Sequence, residues 1–151
     1  MKVYKRIVGE IQANYLKKDK HYAVKISSSE DVNLYVRKFF PVDIELREAF
    51  LCIYLNRANN TLGYAVISVG GISGTLCDPK VIFQYGLLCN ASSLILIHNH
   101  PSGNVTPSET DKRLTKKVKA IGELMDMIVH DHLIISPIDF NYYSFADKGI
   151  L

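Results

Sequence analysis

The stretch EAFLCIYL, residues 48–55, constrains the fold more than any other part of the chain. It is an almost unbroken apolar run with aromatic residues. A strand with one wet face alternates apolar and polar residues, so a run of this kind reads as a strand buried on both faces. A sheet covered on both sides needs helices on both sides. The chain supplies them in alternation with further strands. Asn59 and Asn60 mark a turn, and residues 62–69 read as a second strand, joined to the first as a hairpin. Asp78 and Pro79 open a helix as cap and first residue. That helix runs to about residue 89, with Val81, Ile82, Tyr85 and Leu88 expected towards the core. Residues 93–97 read as a short apolar strand that delivers His98. Thr106, Pro107, Ser108 and Glu109 then read as a capping box, with Thr106 as cap, opening a helix to about residue 124. Its expected apolar stripe is Val118, Ile121 and Leu124 or Met125. Lys112, Arg113, Lys116, Lys117 and Lys119 form its solvated side. Residues 126–136 and 141–145 read as closing strands. The expected class is α/β, a sandwich of helices on a mixed sheet.

The first 41 residues differ in character and read as an N-terminal extension packed on a core of residues 42–151. Short strands or turns and a solvated basic loop, Lys17-Lys18-Asp19-Lys20, come first. Ser28 or Ser29 then caps a helix to about residue 40, with Val32, Tyr35, Val36 and Phe39 on one face and Pro41 ending it. At 151 residues the chain fits a single compact domain. No apolar run approaches the ~18 residues of a membrane span. The opening MKVYKRIVGE lacks the apolar core and cleavage site of a signal peptide, so the cytoplasm is the expected location. Cys52, Cys77 and Cys89 are an odd number at wide spacing. They read as buried small side chains rather than a disulfide framework or thiolate metal site. A net charge of +3 permits nucleic-acid contact without indicating it. Gly70, Gly71 and Gly74 lack the spacing of a phosphate loop and read as turns or a bulge.

Chemistry concentrates in IHNHPSGNVTPSETD, residues 97–111. His98 and His100 are two apart at a strand end, where alternate side chains share one side. Asp111 lies about one turn into the next helix, whose start points back at the strand end across a short loop. Two histidines and a carboxylate are a ligand set for Zn2+ that leaves a fourth position for water. Ser108, three residues before Asp111, would bring its hydroxyl to the open side, where an oxyanion would develop. A proton acceptor is also needed, and Asp43, Glu45, Glu48, Asp78 and Glu109 are all candidates. Glu48 stands out as an acid at the edge of a buried strand. Each residue alone has an ordinary reading: a loop histidine, a first-turn serine or acid, a solvated strand end. The combination within fifteen residues is what carries information.

The spacing of His98, His100, Ser108 and Asp111 resembles the JAMM motif of the MPN+/JAB1-type metalloproteases. The flanks HNHPSGNVTPSETD, DHLIIS (131–136) and YYSFADKG (142–149) are similar to those of the bacterial RadC-like proteins, and EAFLCIYLNRANNTLGYAVISVGG resembles that family's upstream strand pair. The likeness covers roughly residues 42–151. It implies a JAB1/MPN (cytidine deaminase-like) sandwich, a curved mixed sheet flanked by helices. It implies zinc on His98, His100 and Asp111, Glu48 as general acid/base and Ser108 as oxyanion donor. It further implies hydrolysis of an amide or isopeptide bond in a peptide or protein substrate. The alternative is a DNA repair-associated accessory domain without peptidase activity. RadC-like proteins commonly carry a helix-hairpin-helix region ahead of this domain. Residues 1–41 do not resemble one, so DNA as a partner is only weakly supported. Asp131-His132 is expected to be a supporting pair rather than a ligand.

Overall fold

A computed structural model describes residues 23–70 and 77–151. The basic loop at 17–20, the short strands expected before residue 23, and Gly71 and Gly74 lie outside the described residues. The order is α1 (Ser29–Val36), β1 (Ala49–Leu55), β2 (Thr61–Val69), α2 (Pro79–Leu88), β3 (Ser93–Asn99), α3 (Glu109–Leu124), β4 (Ile128–Ile135) and β5 (Tyr142–Ser144). The five strands form one sheet in the order β2-β1-β3-β4-β5. β3 and β4 pair in parallel; the other neighbours are antiparallel. This is a mixed α/β architecture with helices on both faces, in keeping with the JAB/MPN fold. Among the described residues no helix is long and apolar enough to cross a membrane.

Every residue of β1 and of β3 is buried, as two-sided apolar runs require. Alternation divides their side chains between two cores. Leu51, Ile53, Leu55, Ile95 and Ile97 meet Val32 and Val36 of α1 on one face. Cys52, Tyr54, Leu94 and Leu96 meet Ile82 and Phe83 of α2 and Val118 of α3 on the other. Burying one such Leu or Ile side chain contributes about 1.5–3 kcal/mol.

Local signals fixed most element starts. Ser28 caps α1 and shares a capping box with Asp31. α1 ends at Val36, earlier than Pro41 suggests, because Lys38 and Phe39 donate to carbonyls only three residues back and tighten the last turn. Tyr35 and Phe39 still pack on the core. Asp78 caps α2 with Pro79 in its first turn.

Two expectations were displaced. α2 buries Ile82, Phe83 and Gly86, while Tyr85 is 43% exposed and Val81 and Leu88 are only partly buried. Its face turns because Met127 lies against Gly86, where a Cβ would sit 2.6 Å from the Met127 sulfur. α3 is capped by Ser108, not Thr106, and the box partner is Asp111, not Glu109. On α3, Thr115, Val118 and Gly122 are buried, Met125 packs inward, and Leu124 is 88% exposed. Of the three cysteines Cys52 is buried and Cys77 and Cys89 are half-buried; all are free thiols.

The α3–β4 turn gives a packing test. Asp126 is left-handed, and Met127 N–H donates to the Gly122 carbonyl, closing a Schellman-type end. A Cβ at 122 would lie 2.5 Å from the Met127 carbonyl oxygen. Alanine normally gains about 1 kcal/mol over glycine in a helix. Here crowding against backbone, about 1–3 kcal/mol, reverses the sign. Gly122→Ala is expected to lower the urea midpoint; a raised midpoint would show that the turn yields freely.

Candidate metal centre

β3 ends between β1 and β4, and the loop after it leads to the start of α3. The sheet therefore carries His98 and His100 to its edge, and α3 returns Asp111 to the same point. One ligand atom from each of these residues lies within 4.8 Å of the others. His98 Nε2 is 3.0 Å from His100 Nε2 and 3.3 Å from Asp111 Oδ1; His100 Nε2 is 3.7 Å from Asp111 Oδ2. His98 is buried, and His100 and Asp111 are partly exposed, so the cluster opens to solvent on one side.

The hydrogen bonds behind the cluster determine which ring nitrogens face it. A carbonyl can only accept. The Asn104 carbonyl lies 2.6 Å from His100 Nδ1, so that nitrogen carries the proton and Nε2 keeps its lone pair. A longer chain fixes His98. Thr115 Oγ1 donates to the Asp111 backbone carbonyl at 2.7 Å, so it accepts from His132 Nδ1 at 2.6 Å. Burial first, then the neighbouring His98, push His132 well below its ordinary pKa and hold it neutral. His132 Nε2 is then an acceptor, and His98 Nδ1 donates to it across 2.9 Å. Both histidines are thus held with Nδ1–H turned away and Nε2 turned inward. Phe50 stacks on His98, and Phe145 on His132.

Two inward lone pairs beside a carboxylate call for a cation. A proton on one Nε2 can bridge to Asp111; a divalent ion at the same point replaces that proton. Burial raises the Asp111 pKa, but a His98 that carries the bridging proton on Nε2, by its bond and charge, and the Ser108 donors outweigh it. The carboxyl is held well below the usual carboxylate range. The donor set, two imidazoles and one ionised carboxylate with an open side, fits Zn2+.

Ser108 serves Asp111 directly. Its N–H and hydroxyl donate to Asp111 Oδ2 at 2.7 and 2.6 Å, and its Oγ accepts from Asp111 N–H. The hydroxyl expected on the open side is therefore engaged with the carboxylate. Glu48 is not part of the three-residue cluster. It lies partly buried just ahead of β1, where its carbonyl accepts from Gly70 N–H at 2.8 Å. Phe50 pairs with His98, so alternation gives Glu48 the side of the sheet that bears Phe50 and His98. Thr115 escaped sequence reading, although a hydroxyl extending the apolar stripe of α3 was a usable signal. Asp131 supports β4: Ser144 Oγ donates to its Oδ2, and His132 N–H and Ala146 N–H donate to its Oδ1.

Fold and cluster together define a mixed α/β domain with a two-histidine, one-carboxylate cluster at the strand ends that could hold a metal ion. The chain belongs to the RadC-like JAB domain family, whose profile matches residues 26–150. A UPF0758 protein of Flavobacterium johnsoniae is 45% identical over 127 residues, 83% of this chain and 53% of the relative. UPF0758 protein YfjY of Escherichia coli K12 is 40% identical over 105 residues, 70% of this chain and 64% of the relative. A UPF0758 protein of Histophilus somni strain 2336 is 34% identical over 140 residues, 93% of this chain and 61% of the relative. The chain thus spans between about half and two thirds of the length of these curated relatives.

Proposed function

We propose that the protein is a zinc-dependent hydrolase of amide or isopeptide bonds, with His98, His100 and Asp111 as ligands. The carrying observation is the convergence of one ligand atom each from His98, His100 and Asp111 within 4.8 Å, with both Nδ1 atoms engaged on the far side of their rings. Membership of a JAB domain family agrees with hydrolytic chemistry. Bound there, Zn2+ would supply Lewis acidity towards a substrate carbonyl and lower the pKa of a water towards ~7.

The remaining work falls to side chains. Glu48 takes the proton of the attacking water and passes it to the departing amine nitrogen, so that the C–N bond breaks without releasing an amide anion. Ser108 exchanges its hydrogen bond to Asp111 for one to the developing oxyanion. Ser108 is the N-cap of α3, and that helix end adds a field favouring negative charge, about 0.3–1 kcal/mol at an exposed position.

The test is a quenched-fluorophore library of lysine-linked isopeptides and ordinary peptides, offered to zinc-loaded protein. Glu48→Gln is expected to keep zinc and lose turnover by about 10²–10⁴-fold; unchanged turnover would remove Glu48 from the reaction. The second reading, a DNA-associated accessory role, has the exposed Lys112, Arg113, Lys116 and Lys117 of α3 in its favour. Duplex DNA affinity that falls steeply with salt, beside no hydrolysis, would select it.

A further inference from the structure

His98 and His100 project from one side of β3, and Asn99 between them projects from the other. Asn99 is fully buried. Its amide is spent on a single stretch of chain. Oδ1 accepts from Ala49 N–H at 2.8 Å, and Nδ2 donates to the carbonyls of Ile44 at 2.9 Å and Arg47 at 2.7 Å. Only this orientation of the amide works. Turned over, its oxygen would face two carbonyl oxygens and its NH2 would face an N–H.

The Arg47 carbonyl and the Ala49 N–H belong to the two peptide planes on either side of Glu48. Fixing both planes fixes φ and ψ at Glu48, and with them the direction of its Cα–Cβ bond. The β1–β3 ladder cannot do this, because its first pair is Phe50 with His98. From the far side the Glu48 carbonyl is held by Gly70 N–H. The residue between the two histidines therefore ties the backbone of Glu48 to the strand that carries both.

We propose that Asn99 is a positioning residue that aims Glu48 at the cation site. The inference rests on the hydrolase reading above. It also accounts for the residue type. Asparagine alone among short side chains offers two donors and an acceptor; aspartate of the same shape keeps the acceptor and loses both donors.

The test uses full-length protein loaded with Co2+ in place of Zn2+, and needs no substrate. The readouts are metal stoichiometry, the midpoint of the pH-dependent change in the Co2+ visible spectrum, and amide exchange at Ala49. Glu48→Gln is expected to bind one Co2+ and shift the midpoint. Asn99→Ala and Asn99→Asp are expected to bind one Co2+, to shift the midpoint in the same direction, and to add nothing in combination with Glu48→Gln. In Asn99→Ala the Ala49 amide should exchange about 3- to 10-fold faster, the equivalent of one ordinary hydrogen bond, while β3 amides stay protected. Asn99→Asp keeps the side-chain volume and tests the two donors if the alanine variant fails to fold. A wild-type midpoint in both Asn99 variants, beside a shifted Glu48→Gln, would overturn the role of Asn99 alone. Loss of metal in both would also overturn it, moving the residue's role to the ligands. A midpoint indifferent to Glu48→Gln would sink the hydrolase reading of Glu48 and the inference with it.

Discussion

Asp111→Ala is expected to purify without stoichiometric zinc. The substitution removes the only anion of the cluster and leaves two neutral imidazoles, one of them buried. It also removes half of the capping box, since the Ser108 N–H and hydroxyl both donate to the lost carboxylate, while Ser108 Oγ still accepts from the residue 111 N–H. Each lost hydrogen bond is worth about 0.5–1.5 kcal/mol, so the metal-free variant should also melt earlier. Asp111→Asn separates the two effects. Its carboxamide oxygen still accepts from Ser108 and should restore most of the stability, yet it lacks the charge and should not restore zinc. Elemental analysis and thermal melting in chelator read the two outcomes. Full zinc occupancy in Asp111→Ala would strike Asp111 from the ligand set.

The same residue shows what could be read from the sequence and what could not. Thr106 to Glu109 fits the general pattern of a capping box, yet the box forms from Ser108 to Asp111. Tertiary structure decides between them, because the Asp111 carboxylate meets His98 and His100. β1 and β3 were legible because a strand covered on both faces must be apolar throughout. The face of α2 was not, because it turns on Gly86, whose missing side chain admits Met127. Periodicity counts side chains and is blind to a gap that a distant residue fills. At the candidate site the spacing His98, His100, Asp111 carried the cluster, since all three lie within one strand–loop–helix unit. Glu48 stood out among the acids as one at the edge of a buried strand, and its role as acid/base came through the family resemblance. The link from His98 to His132 joins residues 34 apart through the parallel pairing of β3 with β4, across a register shift next to Ile95. No local spacing encodes such a contact.

That link carries the second large expected effect. Folded His132 stays neutral well below the ordinary histidine pKa of 6.5 because it is buried, with His98 beside it. The unfolded chain takes up a proton there as pH falls below 6.5. Above that pH both states are neutral at this residue and stability is complete. Below it the unfolded state gains a proton that the folded state refuses, so stability is lost by up to about 1.4 kcal/mol per pH unit. Chemical denaturation of the metal-free protein at pH 7.5 and 5.5 measures the slope. His132→Leu should flatten it, but leaves the buried His98 Nδ1–H without a partner inside the fold, about 1–3 kcal/mol, while Thr115 Oγ1 keeps only its bond to the Asp111 carbonyl. Its zinc affinity should fall about 10–100-fold, as when a ligand histidine loses its outer partner. His132→Gln can accept from His98 and donate to Thr115 without titrating, so it should flatten the slope and keep most of the affinity. His130, also pushed down by burial, contributes a portion that survives in both variants. A slope unchanged in both would assign the whole acid sensitivity to His130 or other groups. Equal zinc affinity in the leucine and glutamine variants would show that the orientation of His98 owes nothing to His132.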